Sequence, residues 1–167
     1  MRTLRVADPE ALYERDFYAW TLAQVAELRR LPAERRNNGL DVRNLADEVA
    51  GLGKGERDTV RSHVETVIAH LLKLDYSPAE EPRLGWIRTI SRTRDRLEDK
   101  LTGALRRDVE RHLGRLYRHA RREAAGELLE RGEADAARLL PTTSPYSLGD
   151  ILRDGWYSTA EAPDLGS

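Results

Sequence analysis

The sequence predicts an all-α fold: a compact bundle of about four to five helices with a short C-terminal helical turn. Three observations carry this. Apolar residues recur at steps of three and four over long stretches, the spacing that gathers them on one helix face. The chain is rich in Leu, Ala, Arg and Glu, with 34% charged and only 6% aromatic residues, too little material for a large sheet. The periodic stretches are long and the connections between them short, as in a helix bundle. A chain of 167 residues suits one domain with one core. The expectation is therefore a single helical domain over 1–167 with a loose tail from about residue 158.

Taken in order, Asp8-Pro9-Glu10 reads as a helix start, since Asp caps free N–H groups and Pro is tolerated in the first turn. Tyr13, Phe17, Trp20, Leu28 and Leu31 then form one apolar stripe, and Pro32 with Asn37-Asn38-Gly39 marks a turn. Asp41 is the next N-cap, followed by Leu45, Val49 and Leu52. Gly51, Gly53 and Gly55 predict the end of a short helix there. The strongest helix is expected from about Glu56 to Tyr76, burying Val60, Val64, Val67, Ile68, Leu71 and Leu74, and closed by Ser77-Pro78 and Pro82. A fourth runs from about Leu84 to Leu101 with Trp86, Ile90, Leu97 and Leu101 inward. A fifth runs from about Leu105 to Arg131 and stops at Gly132. Pro141 and Pro145 bracket a loop, and Ser147-Leu148-Gly149-Asp150 resembles a capping box ahead of Ile151 and Leu152.

The composition excludes some chemistry. With no cysteine, the chain has no disulfide framework, thiol nucleophile or cysteine-held metal. The N-terminus has no apolar run suited to a signal peptide, and no stretch approaches the roughly 18 apolar residues of a membrane span. A cytoplasmic protein without membrane association is expected. Net charge is only −1, but Arg83 to Arg122 carries 13 Lys/Arg against 5 Asp/Glu, so that segment is +8 and the remainder −9.

Five stretches, in order, resemble a bacterial family, the domain of unknown function numbered 29. They are Leu12-Tyr13-Glu14-Arg15-Asp16-Phe17-Tyr18-Ala19-Trp20; Asn44-Leu45-Ala46-Asp47-Glu48-Val49-Ala50-Gly51-Leu52-Gly53; His70-Leu71-Leu72-Lys73-Leu74-Asp75-Tyr76 with Trp86 beyond; Tyr117 with Ala120; and Pro145-Tyr146-Ser147-Leu148 before Ile151-Leu152. Together they span Leu12 to Leu152. The resemblance implies a compact helical fold and a bacterial source, and implies no activity. Leu74, where the family more commonly has Trp, and Thr102-Gly103-Ala104, in place of a Ser-Pro-like break, depart from its pattern.

The candidate sites each have a plainer reading beside the functional one. His63/His70 and His112/His119 are i, i+7 pairs, roughly 10.5 Å apart along a helix axis, too far to share one metal. Val60, Val67, Val109 and Leu116 stand where a Glu-x-x-His site needs Glu, so neither metal nor cofactor is expected. His70 and Lys73 share a helix edge, and Asp16 and Glu48 are acidic partners on other helices. The four make a candidate polar pocket for a small anion or acid–base work, or else a set of helix-linking ion pairs. Tyr13, Phe17, Trp20 and Trp86 read as core rather than as a stacking box. Arg88, Arg92 and Arg96 form one ridge and Arg107, Arg111, Arg115, Arg118 and Arg122 another, a candidate basic surface for phosphates or a solvated face. No Gly-rich phosphate loop, nucleophile elbow or His-Glu-x-x-His sequence occurs, which leans away from an enzyme. The leading expectation is a non-enzymatic helical interaction protein with a protein partner or self-association as a homodimer. The alternatives are a nucleic-acid-associated protein using the Arg-rich helices at 83–122, and a small-ligand or enzymatic site around His70 and Lys73.

Overall fold

In the computed structural model, residues 8–32 and 39–158 are described; they form seven helices and no strand. These are α1 (Pro9–Arg15), α2 (Phe17–Arg30), α3 (Val42–Tyr76), α4 (Arg83–Lys100), α5 (Gly103–Glu130), α6 (Ala134–Leu139) and α7 (Leu148–Leu152). The all-α expectation holds. Among the described residues no helix is long and apolar enough to cross a membrane. Asn37 and Asn38 of the expected turn, and all but Ser158 of the expected tail, lie outside the described residues. The chain divides into two compact units: unit 1 holds 1–59 and 102–108, unit 2 holds 60–101 and 109–167.

Unit 1 departs from expectation at its first helix. Asp16 leaves the helical region at φ −151°, ψ 81°, and splits the anticipated single helix into α1 and α2. Asp is prone to this because its carboxylate can replace the lost helical bonds. Here it accepts from Ala19 N at 3.0 Å and caps α2. The break also rotates the stripe out of register. Tyr18 and Thr21 are the residues α2 buries, whereas Tyr13 is 46% exposed and Phe17 and Trp20 are only half-buried. The three rings pack on one another instead, with centroids 4.9 to 5.7 Å apart. The apolar interior of unit 1 is correspondingly small: Tyr18, Val42, Ala46, Ala104 and Leu105.

A second correction concerns the glycines. Asp41 does start a helix, accepting from Asn44 N at 3.1 Å. That helix does not end at Gly51–Gly55, however; α3 runs through them and is 35 residues long in all. Glycine costs a helix only about 1 kcal/mol, and Gly53 has a packing reason to be there. A Cβ on it would stand 2.3 Å from Thr21 Oγ1 and 3.1 Å from Thr21 Cβ. Only glycine lets α2 approach α3 this closely.

Unit 2 has a far larger core. Val60, Val64, Val67, Ile68, Leu71 and Leu74 of α3 are 0–2% exposed, as the heptad-like spacing predicts. Ile90 and Leu97 of α4, Val109, Leu116, Tyr117, Ala120, Ala124 and Leu128 of α5, and Ile151 of α7 are equally buried. Gly132 stops α5 as expected. At φ +80° it donates to Leu129 O at 2.9 Å, while Glu133 N donates to Leu128 O at 2.8 Å, the two bonds of a Schellman cap. Helix α6 was not anticipated between Gly132 and Pro141. The Ser147–Asp150 capping box opens α7, each side chain bonding the other residue's backbone N–H, at 3.1 and 2.9 Å.

Candidate functional site

Of the four residues proposed for a polar pocket, Asp16 and Glu48 belong to unit 1 and His70 and Lys73 to unit 2. In unit 1, Asp16 is a double helix cap. Besides Ala19 N, its carboxylate accepts from the Thr102 hydroxyl at 2.8 Å and from Ala104 N, in the first turn of α5, at 2.9 Å. Both oxygens are thus engaged, and Asp16 is 8% exposed. Anionic carboxylates are well placed at helix N-termini. Glu48 sits exposed on α3.

In unit 2, Lys73 is 1% exposed and its ammonium donates to Glu127 of α5. The Trp86 ring lies 5.5 Å from Lys73 Nζ and 5.7 Å from the Arg131 guanidinium. The indole is thus flanked by two cations. His70 is half-buried, and its Nδ1–H donates to Thr66 O at 2.9 Å. Burial, and then the Lys73 charge, hold its pKa below the usual histidine value. Glu133 extends the network, accepting from Ser77 Oγ at 2.5 Å and from Arg131 at 3.0 Å. Sequence reasoning found His70 and Lys73 but missed Glu127, which is 54 residues from Lys73 and carries no local signal.

A second polar cluster in unit 2 joins two of the quoted stretches. Asp75 Oδ2 accepts from Tyr146 OH at 2.6 Å and from Ser158 Oγ at 2.8 Å. Asp75 Oδ1 is buried without a partner among the described residues. Burial pushes the Asp75 carboxyl above its ordinary value, against the opposing pull of those two hydroxyls and of Arg83. Burial and the Asp75 carboxylate likewise push the Tyr146 phenol up. Arg94, 4% exposed, donates to Ile151 O and Trp156 O at 2.8 Å and to Asp150 O at 3.1 Å, closing the end of α7. These are packing and capping interactions that fix helices.

The remaining histidines do not converge. His112 Nδ1 accepts from Arg61 at 3.2 Å, His119 faces Glu65 at 3.3 Å, and His63 Nδ1 is buried. No group of three or more His, Asp and Glu side chains gathers for a metal among the described residues. Arg88, Arg92, Arg96, Arg107, Arg111, Arg115, Arg118 and Arg122 are all exposed; Arg107 lies in unit 1 and the other seven in unit 2.

The feature sequence reasoning missed is an apolar surface. Tyr13, Leu22, Leu40, Leu45 and Leu52, all of unit 1, are 43–57% exposed. Leu45 and Leu52 share a face of α3 at i, i+7. Two concavities between α2 and α3 accompany them. One, of about 360 Å³, is lined by Leu22, Val25 and Ala26 of α2 and by Ala50, Gly53 and Arg57 of α3. The other, of about 520 Å³, includes Leu28, Leu40 and Ala46.

Comparison with known proteins agrees with this anatomy. A sequence model of the family described as Domain of unknown function DUF29 matches residues 12–157. An alpha-helical protein of unknown function from Rhodospirillum rubrum, known from a crystal structure, superposes with a TM-score of 0.75. It is 24% identical, and the match covers 86% of this chain and 90% of that one, a likeness of fold. No curated protein matches the sequence.

Proposed function

The chain belongs to the family described as Domain of unknown function DUF29, and from that premise we propose that it is a non-enzymatic helical interaction protein whose unit 1 docks a second copy of the chain. One observation carries the reading: unit 1 displays its apolar residues instead of burying them. It has five of the eight large apolar side chains exposed among the described residues, yet only five of the 29 that form buried core. Unit 2 reverses the ratio. Exposed large apolar side chains concentrated in one unit are what an interaction face offers.

Charge supports self-docking. Unit 1 carries twelve Lys and Arg against twelve Asp and Glu, a net charge of zero, so two copies of the unit approach without net repulsion. A symmetric pair also needs only one self-complementary patch. The polar clusters support the non-catalytic half of the proposal. Asp16 is spent on two helix starts, and Lys73 is spent on Glu127 and Trp86.

The absence of native cysteine makes the test clean. Leu45→Cys or Leu52→Cys, treated with a flexible bis-maleimide at low micromolar protein, should give a covalent species of twice the 19.0 kDa chain mass. Leu139→Cys, on an exposed leucine of unit 2, should not. Equal cross-linking at all three positions, or none at any, contradicts the proposal.

A further inference from the structure

The cationic face of α5 has a use that docking through unit 1 does not absorb. Between Arg111 and Arg122 the helix carries five arginines, two histidines and no acidic residue. Arg111, Arg115, Arg118 and Arg122 fall at i, i+4, i+7 and i+11, within an arc of roughly 60° at about 100° per residue. All four are exposed, and none is engaged in an ion pair among the described residues. Leu116, Tyr117 and Ala120 take the opposite face into the core, so the stripe is fixed outward by the packing of the helix.

The stripe borders a depression of about 460 Å³ lined by Arg115, Arg118, His119, Arg121, Arg122 and Thr142. Its wall is pre-set: Arg121 donates to Leu140 O at 3.0 and 3.2 Å, and His119 is held by Glu65 at 3.3 Å. The Glu65 carboxylate contacts His119 and none of the four stripe arginines.

We infer that this face of α5 binds the phosphate backbone of a nucleic-acid duplex without reading its bases. Four guanidiniums spread along about 16 Å of helix cannot converge on one small anion, so the ligand is a polymer of charge. Arginine presents the planar fork that phosphate oxygens match. The face exposes no phenol or indole ring on which an unpaired base would stack: Tyr117 is buried with its hydroxyl on Pro141 O at 2.6 Å, and the exposed His119 imidazole is held by Glu65 at 3.3 Å. Between Arg111 and Arg122 it exposes no large apolar side chain; the exposed one on α5 is Leu129, two turns beyond, whereas a lipid surface or the centre of a protein interface would require several. With the whole chain at −1, the attraction is local to this stripe and falls steeply with salt.

The test is fluorescence anisotropy of the full chain with a labelled mixed-sequence DNA duplex of about two helical turns, across a salt series. Four phosphate contacts give a log–log slope near −3.6, roughly a 150-fold loss of affinity between about 50 and 200 mM salt. Changing Arg115→Gln with Arg118→Gln should make the slope shallower by about 1.8, with unchanged circular dichroism because both sites are exposed. No binding at about 50 mM salt, an unaltered slope in the double variant, or tighter binding of polyglutamate or anionic vesicles would overturn the inference.

Discussion

Three glycines in one stretch of α3 should respond to the same substitution with opposite signs. Gly51 and Gly55 have nothing within 4 Å of an added Cβ, and both are helical and exposed. Gly51→Ala and Gly55→Ala should therefore stabilise by about 0.5–1 kcal/mol each, the conformational entropy that alanine does not lose. At Gly53 the same methyl meets Thr21 Oγ1 at 2.3 Å and Thr21 Cβ at 3.1 Å. Thr21 has little room to yield: it is 1% exposed and its hydroxyl donates to Tyr18 O at 2.7 Å. Overpacking of this kind costs about 1–3 kcal/mol, and the helix-propensity gain of about 1 kcal/mol offsets only part of it. A net loss of up to about 2 kcal/mol is expected, read as a lower urea midpoint at constant m-value. Adding Thr21→Ala removes the nearer atom, so a double-mutant cycle should show a favourable coupling of about 1–2 kcal/mol between the two alanines. If Gly53→Ala stabilises as much as its neighbours, the close approach of α2 to α3 is wrong.

Asp16→Ala should cost about 2–3 kcal/mol, because one carboxylate caps α2 and the start of α5 together, and Asp16→Asn should recover part of this in the same urea assay. The Lys73–Glu127 pair should be asymmetric. Glu127→Gln leaves an ammonium that is 1% exposed without its counter-charge and should cost about 3 kcal/mol. Lys73→Met leaves a carboxylate that is 41% exposed and open to water, and should cost less than about 1 kcal/mol. Two groups set opposing pH trends. Burial raises the Asp75 carboxyl in the fold, so its stabilising contribution is full below the ordinary 3.8 and lost as pH rises through the raised value. Asp75→Asn should therefore gain on the native chain across that window in pH-dependent thermal melts. The His70 pKa is lowered, by burial first, so its contribution is present above 6.5 and lost as pH falls through the lowered value. His70→Gln should be least affected by acidification.

The parts of the fold legible in the sequence are those set by local periodicity. The Val60–Leu74 face, the Gly132 stop and the Ser147–Asp150 box depend on neighbours within a turn or two, and spacing reports them. What spacing misled on was decided by tertiary partners. The break at Asp16 is fixed by Thr102 and Ala104, 86 and 88 residues away, and the persistence of α3 through Gly53 by Thr21. The aromatic stripe was a consequence of the first error: once Asp16 divides the helix, Tyr13 and Phe17 no longer share an axis. Residue types flagged His70 and Lys73, but the Lys73 partners Glu127 and Trp86 came from the fold. The exposed leucines of unit 1 were invisible for a related reason. Periodicity identifies an apolar face and is silent on whether anything in the same chain covers it.

Self-docking through that face is the central claim, and sedimentation equilibrium of the full chain tests it most directly. The mass of the native chain should rise with concentration from 19.0 kDa toward twice that value, while Leu45→Glu with Leu52→Glu, both on exposed positions, should stay at the monomer mass at every concentration. A native chain that remains at 19.0 kDa up to about 200 µM, or a double variant that associates as well as the native chain, would contradict it.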